Sequence, residues 1–551
     1  MRSTAIQVAA ALPLVGLMAA SLLLEGCRKD ADTRPVSTTP VRGGTLIYAT
    51  DREPICLDPH VGGDMPQVFV AEQYLDSLVS MDKDGHIRPW LATRWEVSPD
   101  GKTYVFHLRH DVTFTDGTAF TAEAVKANLD HMVNPATQST TAGGYVRQYA
   151  GTDIIDRYTA AVHLSSPYAA FLEVLAQGFL GIESPAALRR SRDENCERPV
   201  GSGPFEIVRW DRQNEVVFKR NPNYHWAPPN ANHDGPAYLD GIEWKFIPES
   251  SVRFAALQAG EVDVIDDLPP EAETPARGNP DLTVLAADRP GNPTNGTFNI
   301  RRAPFNDIRV REAFIRGADI DGALGSVFFH HYRRAGGPLS PATPFYSPDF
   351  EHTKDYDPKQ AAALLDAAGW NARAPDGIRI KNGHRLSVHI PERATMWSAD
   401  RTLWEQVQAT EREIGFDVLL EPSGDTQVNT RQGAWDYDVI IGYWNTNTAD
   451  VLRIVFSAAF LGSTGIGGHH QNSSGYSDPR FDAIMQQALA VQDPAQRRAL
   501  YYQAQVIVAA QQLQVTTYSQ STRLGIYKTA HGVRLEPSLT VTSLYDSWLT
   551  R

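Results

Sequence analysis

Residues 440–456 read IIGYWNTNTADVLRIVF and set Tyr443 and Trp444 beside Asn445, Thr446, Asn447 and Thr448, with Asp450 as the nearby acid. Exposed rings next to neutral amides and hydroxyls stack on and hydrogen-bond a small polar ligand; they include no nucleophile–base pair. Two histidine pairs, His330-His331 and His469-His470, raise the question of a metal. Neighbouring side chains on a strand point to opposite faces, and no thiolate or carboxylate stands at a useful spacing, so solvated or hydrogen-bonded histidines and no metal are expected. The chain has no Gly-x-Ser-x-Gly elbow, no His-Glu-x-x-His and no phosphate-binding Gly-x-x-x-x-Gly-Lys-Ser/Thr loop, and the glycines of 462–468 lack Gly-x-Gly-x-x-Gly spacing. A binding protein rather than an enzyme is expected, with no cofactor. An exported hydrolase, its two carboxylates hidden among the 65 acids, is the alternative of another class.

Two ends of the sequence bear on compartment. After Arg2, residues 5–24 carry no charge and lead into LLLEGC, the layout of a secretory signal. Leu24-Glu25-Gly26-Cys27 resembles a bacterial lipobox, with Cys27 as the lipidated residue and Glu25 a departure from the usual small or apolar residue. An ordinary cleaved signal or an uncleaved anchor are the alternatives. Residues 28–42 are polar, contain Pro35 and Pro40, and read as a tether. No later apolar run is long enough to span a bilayer. A net charge of −14 without a Lys/Arg cluster argues against nucleic acid, and 551 residues imply two or three domains. Cys56 and Cys196 either form a disulfide in an exported protein or stand as isolated buried thiols.

The elements that must position these groups are short and clearly punctuated. Tyr104, Phe106 and Leu108 alternate with polar neighbours as in a half-buried strand, between Asp100-Gly101 and Asp116-Gly117 turns. Thr121 is placed to cap a helix with Val125, Leu129 and Met132 on one face. Asp-Pro opens three further helices, at Asp357, Asp478 and Asp493. Strands are expected at 44–49, 215–219, 242–247, 386–390, 417–421 and 437–442. Interleaved strands and helices make the class α/β or mixed α+β.

The block Trp90 to Met132, together with GGTLIYATDREPICLDP, VGSGPFEIVRWDRQNEVVFKRNPNYH, FNIRRAPFNDIRVREAFIRGADI and NSSGYSDPRFDAIM in that order, resembles the dipeptide-, oligopeptide- and nickel-binding proteins of ABC importers, family 5 of the bacterial solute-binding proteins. The resemblance runs from about Gly43 to the C-terminus. It implies a two-lobed periplasmic-binding-protein fold with a hinge. Lobe I would be discontinuous (43–82, 198–297 and 513–551), with an inserted subdomain at 83–197, and lobe II would span 298–512. The ligand lies between the lobes, and three loops match family cleft positions: Gly62, Gly63, Asp64 and Met65; Arg393 and Trp397; and Tyr443, Trp444, Asn445, Thr446 and Asn447. Peptide-binding relatives carry in the third loop an Asp for the ligand's α-ammonium; here amides and hydroxyls stand instead, and Asp450 is expected to cap the next helix. The implied task is capture of a small polar solute, most of all a peptide, and delivery to permease and ATPase subunits. An opine, an amino sugar or a nickel chelate is the alternative within the fold, and a sensor or scaffold is a third reading. The expected state is a monomer outside the cytoplasm, lipid-anchored through Cys27.

Overall fold

The computed structural model describes residues 39–353, 355–462 and 470–550. Cys27, the signal segment, His469 and most of the 462–468 glycine run lie outside them. Alternation becomes strand where expected: Tyr104, Phe106 and Leu108 are buried in strand Thr103–Leu108, and their neighbours are half-buried. That strand belongs to a four-stranded antiparallel sheet, in the order Ala92–Val97, Thr103–Leu108, Thr159–Leu164, Tyr149–Asp156. Helix Ala122–Val133 covers it with Val125, Leu129 and Met132 buried. Thr121 occupies the N-cap of this helix, but its side chain makes no capping bond.

A seven-stranded sheet runs Leu282–Asp288, Ser521–Tyr527, Val264–Ile265, Thr45–Thr50, Gly241–Phe246, Glu215–Arg220, Phe205–Asp211. Thr45–Thr50 pairs in parallel with Gly241–Phe246, in register Thr45 to Gly241, so distant stretches of chain meet at its centre. A further layer pairs Ser387–Arg393 in parallel with Asp417–Ser423, and helix Ser398–Ile414 connects the two strands. Strands Gly291–Phe298 and Gln514–Thr516, at the ends of stretches expected in lobe I, pair with each other, and Gly291–Phe298 pairs on its other side with Val439–Asn445. The chain thus passes between the seven-stranded sheet and this three-stranded sheet twice, at 289–290 and at 517–520.

All three Asp-Pro helices are capped as their sequences imply: Asp357, Asp478 and Asp493 accept from the backbone N–H of Gln360, Arg480 and Gln496. Such caps satisfy amides that the helix itself leaves open and are worth about 1 kcal/mol each. Cys56 and Cys196 are joined as a disulfide with their Cα atoms 4.7 Å apart. No described helix is long and apolar enough to cross a bilayer.

Candidate functional site

The two crossings run side by side and are stitched together. Arg289 N–H donates to the Gln520 carbonyl at 2.7 Å, Thr294 N–H to Tyr518 at 3.0 Å, and Thr517 N–H to Thr294 at 2.8 Å. Gly291 follows at φ +124°, and a Cβ there would meet the Trp444 carbonyl at 2.0 Å. Only glycine permits both the backbone angle and the approach. Two adjacent connectors between sheets are the geometry of a hinge.

At this hinge stands Arg289, 8% exposed. Its Nε donates to Thr522 Oγ1 at 2.8 Å, and its guanidinium lies 5.1 Å from the Phe69 ring centre. Its two terminal nitrogens receive no hydrogen-bond partner from the described residues. Arg523 beside it is fully engaged, with Glu273 Oε2 at 2.5 Å and the His331 carbonyl. The Arg523 guanidinium lies 4.2 Å from the Tyr332 ring centre, and that ring is 5.9 Å from the Trp397 ring and 5.2 Å from that of Tyr518. Burial pushes the Tyr332 hydroxyl up, with Arg523 and Arg289 pulling against Asp267 and Glu273.

Asp267 supplies the opposite charge. Its backbone sits at φ +44°, in the left-handed region where non-glycine residues are uncommon. Buried Arg253 holds that turn by donating to the carbonyls of Asp266 (3.4 Å), Asp267 (3.3 Å) and Ile247 (2.7 Å). Burial, and then the neighbouring Asp267, raise the Asp266 carboxyl well above its usual range. The Asp267 carboxylate has no hydrogen-bond partner among the described residues.

The expected loops lie around this base. Asp64 meets Arg52 at 3.4 Å. Burial alone would lower Arg52, but Asp64, Asp51, Tyr443 and Asp267 together hold it above its ordinary value. Burial raises Asp64 against the pull of Arg52, and Asp425 adds to the rise. Tyr443 is 42% exposed, and Trp397 sits on the ring cluster of Phe328 and Tyr332. Arg393 donates to Asn429 Oδ1 at 2.7 Å and is lowered by burial. Gly62 turns its carbonyl to Thr140 N–H at 2.9 Å, and a Cβ on Gly63 would fall 1.9 Å from Thr141 Oγ1. The close approach at these glycines is therefore to the chain itself, and Met65 is buried in helix Met65–Ala71.

The third loop differs from its reading as ligand-facing amides. Trp444 Nε1 donates to Tyr145 Oη at 2.9 Å, and Tyr145 donates to the Asn445 carbonyl at 3.1 Å. Gln177 donates to Thr446 Oγ1 at 3.1 Å. Asn447 donates to Ser538 Oγ at 2.9 Å and accepts from Leu539 N–H at 2.8 Å. Asn445 to Thr448 are all buried; Asn447 is taken by protein partners through both ends of its amide, whereas Asn445 Oδ1 has no partner among the described residues. Asp450 is also corrected: it stands at the N-cap of helix Val451–Phe456 but makes no capping bond, and its carboxylate takes Arg453 through two bonds of 2.9 and 2.6 Å. Of the histidines, His331 bonds Thr274 Oγ1 at 3.0 Å, His470 bonds the Gly433 carbonyl at 3.0 Å, and His330 is exposed.

Arg289, Asp267 and Tyr332 escaped the sequence reading. Arg289-Pro290 and Asp266-Asp267 look like ordinary turn residues, and only the fold brings them together. The family model for bacterial extracellular solute-binding proteins, family 5 Middle, matches residues 86–466.

The chain belongs to this family.

It is 29% identical to the glutathione-binding protein GsiB of Escherichia coli K12 over 481 residues, 84% of this chain and 86% of that one. Its fold matches NikA from Brucella suis, in complex with Fe(III)-EDTA, at TM-score 0.80 and 24% identity, covering 92% of this chain and all of that one. It also matches DppA from Helicobacter pylori, in complex with the peptide STSA, at TM-score 0.78 and 24% identity over 93% and 99% of the two chains. The family-5 solute-binding protein described here is thus an extracytoplasmic substrate-binding component of an ABC transporter for a small solute, and not an enzyme.

Proposed function

We propose that the chain captures a short peptide or peptide-like zwitterion between two lobes that meet at the crossings 289–290 and 517–520, lobe I before the first and after the second and bearing the 83–197 subdomain, lobe II between them, and hands it to a permease and its ATPase. The observation that carries this is a pair of opposite charges near the hinge, the terminal nitrogens of Arg289 and the carboxylate of Asp267, neither with a hydrogen-bond partner among the described residues and both acting electrostatically on Tyr332. An arginine fork binds a carboxylate bidentately, and a carboxylate takes an ammonium, so a ligand bearing both groups satisfies the base of the cleft. Strain at Asp267 fits a binding role, since such backbone costs about 1–3 kcal/mol and clusters at ligand clamps. Arg52, Asp64, Tyr443, Arg393 and Trp397 form the upper walls. The likeness to a glutathione-binding protein supports the class, because glutathione is a tripeptide with two carboxylates and one ammonium. Closure follows if the ligand's differential affinity favours the closed lobes. Cys27 serves as the lipid anchor in this reading, and the protein works as a monomer.

Native mass spectrometry of protein from Arg28 onward, before and after mild denaturation, tests the class. A released peptide mass, followed by calorimetry with glutathione and with dipeptides, supports it. A metal chelate or a non-zwitterionic ligand overturns it. Co-purification of permease subunits separates transport from sensing.

A further inference from the structure

Away from the cleft, Asp58, His60 and His131 meet beneath the loop that carries Gly62 and Gly63, with their donor atoms all within 4.8 Å of one another. Asp58 and His60 are fully buried, and His131 is 15% exposed. The hydrogen bonds fix where His60 carries its proton and one of the protons of His131. His60 Nε2 lies 2.9 Å from the Gly181 carbonyl, which only accepts, so Nε2 holds the proton and Nδ1 presents a lone pair. That Nδ1 is buried without a partner, 3.8 Å from Asp58 Oδ1. Thr137 Oγ1 donates its proton to the His131 carbonyl at 2.7 Å and so accepts from His131 Nδ1 at 3.2 Å. In the neutral ring His131 Nε2 is then the second lone pair, 3.2 Å from Asp58 Oδ2; in the imidazolium it donates to that oxygen.

A proton on His131 Nε2 satisfies its contact with Asp58 but leaves buried His60 Nδ1 without a partner, whereas a cation between the rings engages both nitrogens and the carboxylate. We propose that Asp58, His60 and His131 bind a divalent transition-metal ion of the zinc class through His60 Nδ1, His131 Nε2 and the Asp58 carboxylate. Bonds of about 2.0–2.1 Å in tetrahedral geometry place ligand atoms about 3.4 Å apart, between the 3.2 and 3.8 Å found here. The outer partners are those a metal-binding histidine uses: a backbone carbonyl on His60, a hydroxyl on His131 and the Asn195 amide, which donates to Asp58 at 2.9 Å. The ion would tie the 58–63 loop to the end of helix Ala122–Val133, next to the Cys56–Cys196 disulfide.

The test uses untagged protein stripped with a chelator, titrated with Zn²⁺ by calorimetry and with Co²⁺ by visible absorption. One zinc per chain and an intense Co²⁺ ligand-field band are expected. His60→Gln and His131→Asn each raise the Zn²⁺ dissociation constant by about 100-fold or more. His86→Ala, in the exposed Asp82–Asp84–His86 turn, leaves the stoichiometry at one. Failure of the wild type to retain zinc, or unchanged affinity in both histidine variants, overturns the proposal. If the variants do not fold, the wild-type Co²⁺ spectrum decides, and a spectrum of hydrated cobalt refutes the site. So does an NMR spectrum of the stripped protein, unchanged by zinc, in which His131 carries protons on both nitrogens.

Discussion

The loop at 443–448 and the hinge at 289–290 carry polar groups of similar capacity and opposite fate. The loop is rich in amides, yet Thr446 and Asn447 are taken by Gln177, Ser538 and Leu539 from the facing parts of the chain. The hinge carries a single arginine whose terminal nitrogens have no partner among the described residues. Ligand recognition follows unsatisfied capacity rather than abundance of polar groups, because a buried group already bonded gains nothing from a ligand. In the proposed reading the loop is a clasp that holds closure, and the hinge is the anchor that reads the ligand.

The largest effect that sharpens this contrast is expected from Arg289→Met. Calorimetry with glutathione or the co-purified peptide should show a loss of about 2–5 kcal/mol, at least thirtyfold, with an unaltered circular-dichroism spectrum. An affinity within threefold of wild type would reverse the roles of the two regions. Next comes the buried acid that holds the second hinge connector: Tyr518 donates to Asp400 at 2.6 Å, and burial raises Asp400 to about 6. A raised carboxyl stabilises the fold fully below its unfolded value of 3.8, and that stability is lost as pH climbs through about 6. Chemical denaturation should find the advantage of wild type over Asp400→Asn shrinking by roughly 3 kcal/mol between pH 4 and pH 7. A gap independent of pH would show that Asp400 is charged throughout.

A smaller change is expected from Trp444→Ala, which removes the Tyr145 bond and the ring. Ligand affinity should weaken about tenfold through poorer closure, the sum of a hydrogen bond and lost packing. Trp444→Phe should recover part of it. Smallest is Asn447→Ala, about fivefold in affinity from one clasp lost, visible as faster ligand release in stopped-flow fluorescence. If Asn447→Ala exceeds Arg289→Met, the loop binds ligand directly.

Much of the fold was legible because its signals are local. Alternation at Tyr104, Phe106 and Leu108 and the caps at Asp357, Asp478 and Asp493 depend on residues within a few positions of one another. Of the expected loop residues, Asp64 and Tyr443 act electrostatically on Arg52 and Trp397 packs on Tyr332, whereas Asn445 to Asn447 are buried. Their type suits a ligand and an interface equally well, and no periodicity distinguishes the two. Arg289 and Asp267 were missed because a lone charged residue at a turn is ordinarily solvated.

By itself, the sequence determined the class of fold, the positions of helices and strands, and the membership of a solute-binding family, since propensity, capping and apolar period act over short distances. Only the tertiary structure decided that Cys56 reaches Cys196, that the chain crosses between sheets at 289–290 and 517–520, and which polar groups are left with capacity for a ligand. Hydrogen-bond satisfaction is a property of what packs against a residue, and those partners stand tens to hundreds of positions away along the chain.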